Sequence, residues 1–253
     1  LFAMEVIARK INKQLVIACT ASALVSWLFI FLFDNKTLLS NTIVGWNWSA
    51  VPFFIVLSLL GGILAVYFTL LVTRMKRLFS NISNNFLRVN IGAIAVGLLI
   101  YFFPSLYGDS YHGLKEVVTE PLTIPNISLL FLLSIAVLKP LASSLTLGAG
   151  GDGGVFAPSI VAGAFLGLVV AFVGNYYFDA DLIPINFALV GAAATLSASL
   201  FAPFTSLVLI CNLLPNGYVL FIPILLGSFI AYFFSKKLLP YNVYSYDFYV
   251  ASK

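Results

Sequence analysis

The sequence predicts an all-α, polytopic membrane protein with broken and re-entrant helices. Two observations carry this. Of 253 residues, 61% are hydrophobic and 9% are charged, whereas a soluble domain is about one-quarter charged. Apolar runs also recur along the whole chain, at or near the ~20 residues that cross a hydrocarbon core as helix.

The runs lie near 14–33, 50–73, 90–104, 125–147, 156–178, 186–199, 203–214 and 217–235. The first two carry no charged residue; the second ends at Arg74. The third is short and closes on Pro104. The fourth holds Lys139 and Pro140 in its later half. The fifth follows a glycine run, and the last three are short or interrupted by Gly and Pro. Such breaks are tolerated at membrane depth only where protein or a wet cavity shields the freed backbone groups. The whole chain, 1–253, reads as a single membrane domain.

The net charge of +4 is no nucleic-acid footprint; its placement matters more. The stretch TRMKRLFSNISNNFLR carries Arg74, Lys76, Arg77 and Arg88 without an acid and reads as a solvated basic loop. Ser235-Lys236-Lys237 follows another span, and the positive-inside rule puts both on the cytoplasmic side. The stretches LFDNKTLLSNT and YGDSYHGLKEVVTEP mix signs and are expected on the outer side. The lone His112 lies in the latter without a partner at ligand spacing and reads as an ordinary loop residue. Cys19 and Cys211 sit inside apolar runs as small hydrophobes, with no disulfide or zinc spacing. The chain starts at Leu1 with no signal peptide, so it is expected to begin inside a longer protein. One histidine in an outer loop and no paired carboxylates near a plausible pocket offer no enzyme site, and no metal or cofactor is expected.

The stretch GAGGDGGVFAP, Gly148 to Pro158, contains G-x-G-x-x-G. A dinucleotide turn needs a strand before it and a helix after it in a soluble βαβ unit. The preceding run LFLLSIAVLKPLASSLTL is too long and Leu-rich for a strand, and the next acid after Asp152, Asp179, is badly placed for a ribose. A different chemistry fits the same residues. Glycines let backbone approach a ligand closely, and Pro158 suits the first turn of the helix that follows. The first-turn N–H groups of a helix lack partners within it, and its dipole is positive there. Inside a membrane such an end can hold a desolvated anion. On the glycines alone, a turn that merely lets two helices pack closely explains the run equally well. Asp152 would repel an anion there, so its side chain is expected to turn away toward a helix end or a cation. Lys139 either snorkels to the interface or contributes electrostatically to such a site.

Four blocks, in order, resemble the CLC family of chloride channels and proton-coupled anion exchangers. Gly153–Pro158, GGVFAP, is similar to its G-x-F-x-P signature, with similar flanks in LKPLASSLTLGAG and SIVAGAFLG. LVGAAATLSASLFAPFTSLVLI, NVYSYDFY and the opening LFAMEVIARK resemble later and earlier parts of the same core. The resemblance covers essentially the whole chain but only the second half of the family's inverted-repeat core. It implies an anion site at Gly154 and the backbone amides of Val155 and Phe156, supported by Gly151, Gly153, Ala157 and Pro158. It also implies a tyrosine hydroxyl opposite, best matched by Tyr244 because Ser245 follows; Tyr241 and Tyr246 are neighbours, and an interfacial aromatic belt would explain all three. The family's other anion and gating motifs belong to a first half not seen here. Glu5 matches the first of two successive glutamates, and Val6 stands where the second relays protons in many exchangers. Val6 therefore points toward a channel or unusual coupling, although some exchangers manage without that glutamate. Glu5 also reads as a structural carboxylate at a helix end.

The resemblance implies passage of chloride or a similar small anion, a bound chloride ion and no other cofactor, protons as a second candidate substrate, a bilayer, a bacterial inner membrane, and a homodimer with one pathway per subunit. The helices near 187–199 and 203–235 are the candidates for the dimer face. An unrelated secondary transporter with broken helices is the alternative, using the same helix-end physics for a carboxylate substrate. Gly163, Ala164 and Gly167 have small-residue spacing that favours close helix contact.

Overall fold

The computed structural model describes residues 13–33, 43, 45–108 and 128–252. Its helices are α1 (Lys13–Phe33), α2 (Val51–Ser80), α3 (Asn85–Phe102), α4 (Leu129–Ala149) and α5 (Phe156–Phe178). They are followed by α6 (Pro184–Leu200), α7 (Pro203–Cys211), α8 (Phe221–Leu238) and the short α9 (Tyr246–Ala251). Among the described residues there is no strand. Among the described residues five helices are long and apolar enough to cross a membrane: α2, α3, α4, α5 and α8, the first and last with a preceding 3-10 turn. With nine residues, α7 is too short to cross, spanning about 14 Å at ~1.5 Å per residue.

The apolar runs become these helices nearly one for one, with one extension. Arg74, Lys76 and Arg77 are not in a loop but in the last turns of α2, and Arg88 lies in the first turn of α3. Cations suit a helix C-terminus, where the dipole is negative, so the basic residues prolong α2. The connection is only residues 81–84, and Asn84 caps α3 by accepting from the Leu87 N–H at 3.3 Å. Gly227 faces Ser58 and Gly62 faces Ala231, so α2 and α8 run parallel. Lys236 and Lys237 therefore finish at the same end as Arg74 and Arg77, in keeping with one shared basic side.

The centre of the bundle is α6. Every residue from Asn186 to Leu200 is buried, because α2, α5, α7 and α8 all pack on it. The tightest approach is to α5. A Cβ on Gly163 would land on the Gly191 carbonyl, one on Gly191 would land on the Gly163 carbonyl, and one on Gly167 would land on the Phe187 carbonyl. The pairing runs in opposite directions along the two helices, so they are antiparallel. The spacing noted at Gly163 and Gly167 is thus a backbone-to-backbone contact. This also corrects one expectation. The segment near 187–199 cannot offer an outer face for a second subunit, being enclosed by its own chain. Exposed apolar side chains lie instead on α7 and α8, among them Val208, Phe221, Ile222, Leu226 and Phe233.

Hydroxyl groups fasten α6 to its neighbours. Ser197 Oγ donates to the Ser228 carbonyl at 2.7 Å, and Ser235 Oγ donates to the Ala198 carbonyl at 3.3 Å, both between α6 and α8. Ser206 Oγ of α7 donates to the Ala193 carbonyl at 2.7 Å. Phe201 ends α6 in the left-handed region at φ 58°.

Gly167→Ala is expected to destabilise the protein by about 1–3 kcal/mol or more through overpacking against the Phe187 carbonyl, read as a lower thermal unfolding midpoint in detergent. Gly97→Ala on α3 is the control. Its added Cβ meets nothing within 4 Å, so the midpoint should hold or rise slightly.

Candidate functional site

The glycine run forms a compact break between α4 and α5. Gly150 ends α4 in the left-handed region at φ 91°, which a glycine adopts without strain. The Gly150 N–H donates to Leu147 at 3.3 Å and the Gly151 N–H donates to Thr146 at 2.9 Å, satisfying carbonyls at the end of α4. A Cβ on Gly151 would press on Thr146 Cγ2 at 2.9 Å, whereas Gly153 and Gly154 face no close neighbour. The two earlier glycines shape the turn; the two later ones leave space.

That space is a cavity of about 360 Å³. Gly153, Gly154, Phe156, Ala157 and Pro158 line it from the loop and the start of α5, and Ser143 and Thr146 line it from α4. Pro158 sits in the first turn of α5, where its missing N–H costs nothing. Val155 immediately precedes α5 and is buried, with 2% of its surface exposed.

The C-terminal tyrosines separate sharply. The Tyr244 hydroxyl meets the backbone of Val155. Residues 89 positions apart in sequence thus meet at the start of α5. Tyr241 and Tyr246 belong elsewhere. Their rings pack on each other at 5.1 Å, Tyr241 packs on Tyr249 at 4.9 Å, and Arg77 donates to the Tyr246 hydroxyl at 2.8 Å. They form an aromatic cluster at the basic end of α2.

Of the two readings of Lys139 the snorkelling one fails, and so does the expectation for Asp152. Lys139 does not reach an interface. It is 3% exposed, and its ammonium donates to the carbonyls of Leu106 at 3.1 Å and Gly108 at 2.7 Å. These carbonyls follow α3 and have left its hydrogen-bond ladder, so the buried cation finds acceptors without extending to water. Gly108 also lines the cavity, placing the ammonium one carbonyl behind its wall. Asp152 does not turn to a cation or a helix end. It is exposed, lines the cavity, and has no hydrogen-bond or ion-pair partner among the described residues. Nearby, Lys139 is held by carbonyls, and Arg88 bonds the Asn85 side chain at 2.6 Å while its buried Nε has no partner among the described residues. Glu5, Val6 and His112 lie outside the described residues.

A family model described as voltage gated chloride channel matches residues 1–236. Among curated proteins, the voltage-gated ClC-type chloride channel ClcB of Shigella flexneri is 29% identical over 230 residues, covering 88% of this chain and 53% of that protein. ClcB of Escherichia coli (strain K12 / DH10B) is 31% identical over 155 residues, covering 61% of this chain and 36% of that protein. The chain spans about half the length of the first of these relatives. Two solved structures share the fold. A eukaryotic CLC transporter matches with a TM-score of 0.77 at 20% identity, covering 96% of this chain and 41% of that one. A CLC-type fluoride/proton antiporter matches with a TM-score of 0.66 at 23% identity, covering 85% of this chain and 50% of that one.

Gly151→Ala is expected to lower the thermal midpoint measurably, because its Cβ would press on Thr146. Gly154→Ala, with open space at its Cβ, should leave the midpoint unchanged. Differential scanning fluorimetry on both variants checks the pair.

Proposed function

This chain belongs to the voltage-gated chloride channel family, and we propose that it supplies the second half of a CLC-type core that passes chloride or a similar small anion across a membrane. The chain is an integral membrane protein; a bacterial inner membrane is the location the ClcB relatives favour. One observation carries the reading of the site: the Tyr244 phenol meets the backbone of Val155 where α5 begins. The Val155 N–H and the phenol oxygen meet each other, so an entering anion would take that N–H over from Tyr244 while the freed phenol O–H turns to donate to the same ion. The amides of Val155 and Phe156 and the Tyr244 hydroxyl would replace part of the ion's hydration shell, with Gly154 giving the ion room to approach. An unrelated transporter with broken helices gives no reason for a C-terminal tyrosine to reach this helix start.

The first half of the core, with its own anion and gating groups, would complete the pathway on the open side of the cavity. A second copy would dock on the apolar residues of α7 and α8. Val6, in place of a proton-relaying glutamate, favours a channel or a different proton route.

The test is made on the protein carrying both halves, reconstituted in liposomes. A chloride gradient is imposed, voltage is clamped with valinomycin and potassium, and external pH is followed. Chloride efflux with protons driven against their gradient identifies an exchanger, and efflux without coupled protons identifies a channel. Absence of chloride, fluoride and nitrate flux in folded protein would overturn the anion reading. Two substitutions sharpen it. Tyr244→Phe, which removes one donor to an ion, should weaken chloride binding by roughly tenfold, about 1.4 kcal/mol, while Tyr241→Phe should not. Asp152→Asn removes a like charge from the cavity wall and should strengthen chloride binding by about two- to fivefold at low salt, the gain shrinking as salt screens the charge. Isothermal titration with chloride measures both.

A further inference from the structure

We propose that Asn242 is a positioning residue for the anion site: it holds the Tyr244 turn against α6, in register with the start of α5. The inference rests on the anion reading above and adds a residue to it. Asn242 is 2% exposed, enclosed by this chain alone. Its side chain is used at both ends. Oδ1 accepts from the N–H of Tyr244 at 3.1 Å and from the N–H of Ser245 at 2.8 Å. Nδ2 donates to the Leu200 carbonyl at 2.6 Å. The Asn242 N–H itself donates to Ser245 Oγ at 2.9 Å, closing the turn from the other side.

The partner of Nδ2 gives these bonds their meaning. Leu200 is the last residue of α6, and the final carbonyls of a helix have no partner within it. One amide therefore shapes the 242–245 turn and tethers it to α6. The same α6 packs backbone to backbone on α5 at Gly163 and Gly191. The two donors assigned to the anion, the start of α5 and the Tyr244 hydroxyl, are each referred to one buried helix. Tyr244 is itself 45% exposed, so its place is set by its backbone more than by enclosure of its ring. The aromatic cluster on either side cannot do this, because Tyr246 is drawn to Arg77 at the basic end of α2. An Asn that merely finished a local turn would bond only within 242–245; the bond to Leu200 spans 42 positions.

The experiment uses the protein carrying both halves of the core, with 3-fluorotyrosine at position 244. The 19F resonance reports the position of the phenol, and calorimetric titration with chloride reports the site. Asn242→Ala is expected to shift or broaden the resonance and to weaken chloride binding about tenfold, as loss of an aligned donor to an ion would. Adding Tyr244→Phe should then weaken chloride binding little further, because both changes act through one hydroxyl. Ser245→Ala, which loses a bond inside the turn but keeps the tether, should leave chloride affinity within about twofold. If Asn242→Ala does not fold, Asn242→Asp keeps the acceptor for both N–H groups and loses the donor to Leu200; the 244 resonance should still move. An unchanged resonance, or additive effects of Asn242→Ala and Tyr244→Phe, overturns the proposal. A resonance that moves in a protein binding no chloride leaves the positioning role standing and overturns the anion reading instead.

Discussion

The contact between α5 and α6 governs the rest of the structure. At Gly163 and Gly191 each backbone lies where a side chain on the other would have to go. In surroundings where lipid is as apolar as leucine, helices gain little from hiding apolar surface and much from close packing. Small residues are what permit that approach. The contact fixes the axis of α5, and with it the direction in which the start of α5 points. It also brings α6 to the middle of the bundle, where nothing but protein surrounds it.

From α6 the order spreads by hydrogen bonds to carbonyls. Ser197, Ser206 and Ser235 bond across helices, and Asn242 takes the carbonyl that ends α6. A backbone polar group buried without a partner is costly in such a medium. Each break in a helix must therefore be closed by a neighbour. At the α4 end the loop glycines do this with their own N–H groups, at Leu200 an asparagine does it, and after α3 the Lys139 ammonium does it. The break before α5 differs: what its helix start meets from outside the helix is a tyrosine hydroxyl, a group that can also donate to an ion.

Much of this was legible in the order of residues, because apolar runs and helix-starting prolines are local signals. Pro158, Pro203 and the glycine run mark the breaks, and the spacing of Gly163 and Gly167 marks the close contact. What failed to show were relations between distant residues. Lys139 reads as open between snorkelling and a role at the site because its acceptors, Leu106 and Gly108, come from another helix end. Asp152 was expected to turn toward a helix end or a cation, but it stays exposed on the cavity wall. The segment 187–199 reads like any apolar helix that could face a partner; its enclosure depends on four others. Basic residues suggested a loop after residue 73, yet at a helix C-terminus they favour continuation. Asn242 gave only the signal of any turn asparagine, with nothing to show that its other end reaches Leu200.

These relations bear on how such a site tolerates change. Its backbone donors carry no side-chain identity, so Val155 and Phe156 specify the ion only through where the main chain runs. Backbone N–H groups recognise negative charge and size rather than a particular chemical group, which suits a spherical ion that offers no directional handle. The precision then has to reside in residues that touch no ion: the glycines that set the α5–α6 distance, the glycines that turn the chain into α5, and the asparagine that refers the Tyr244 turn to α6. Val155 and Phe156 are held by packing and not by the ion, since Val155 is 2% exposed and Phe156 packs against the same core, so variation should be most restricted wherever packing aims the amides.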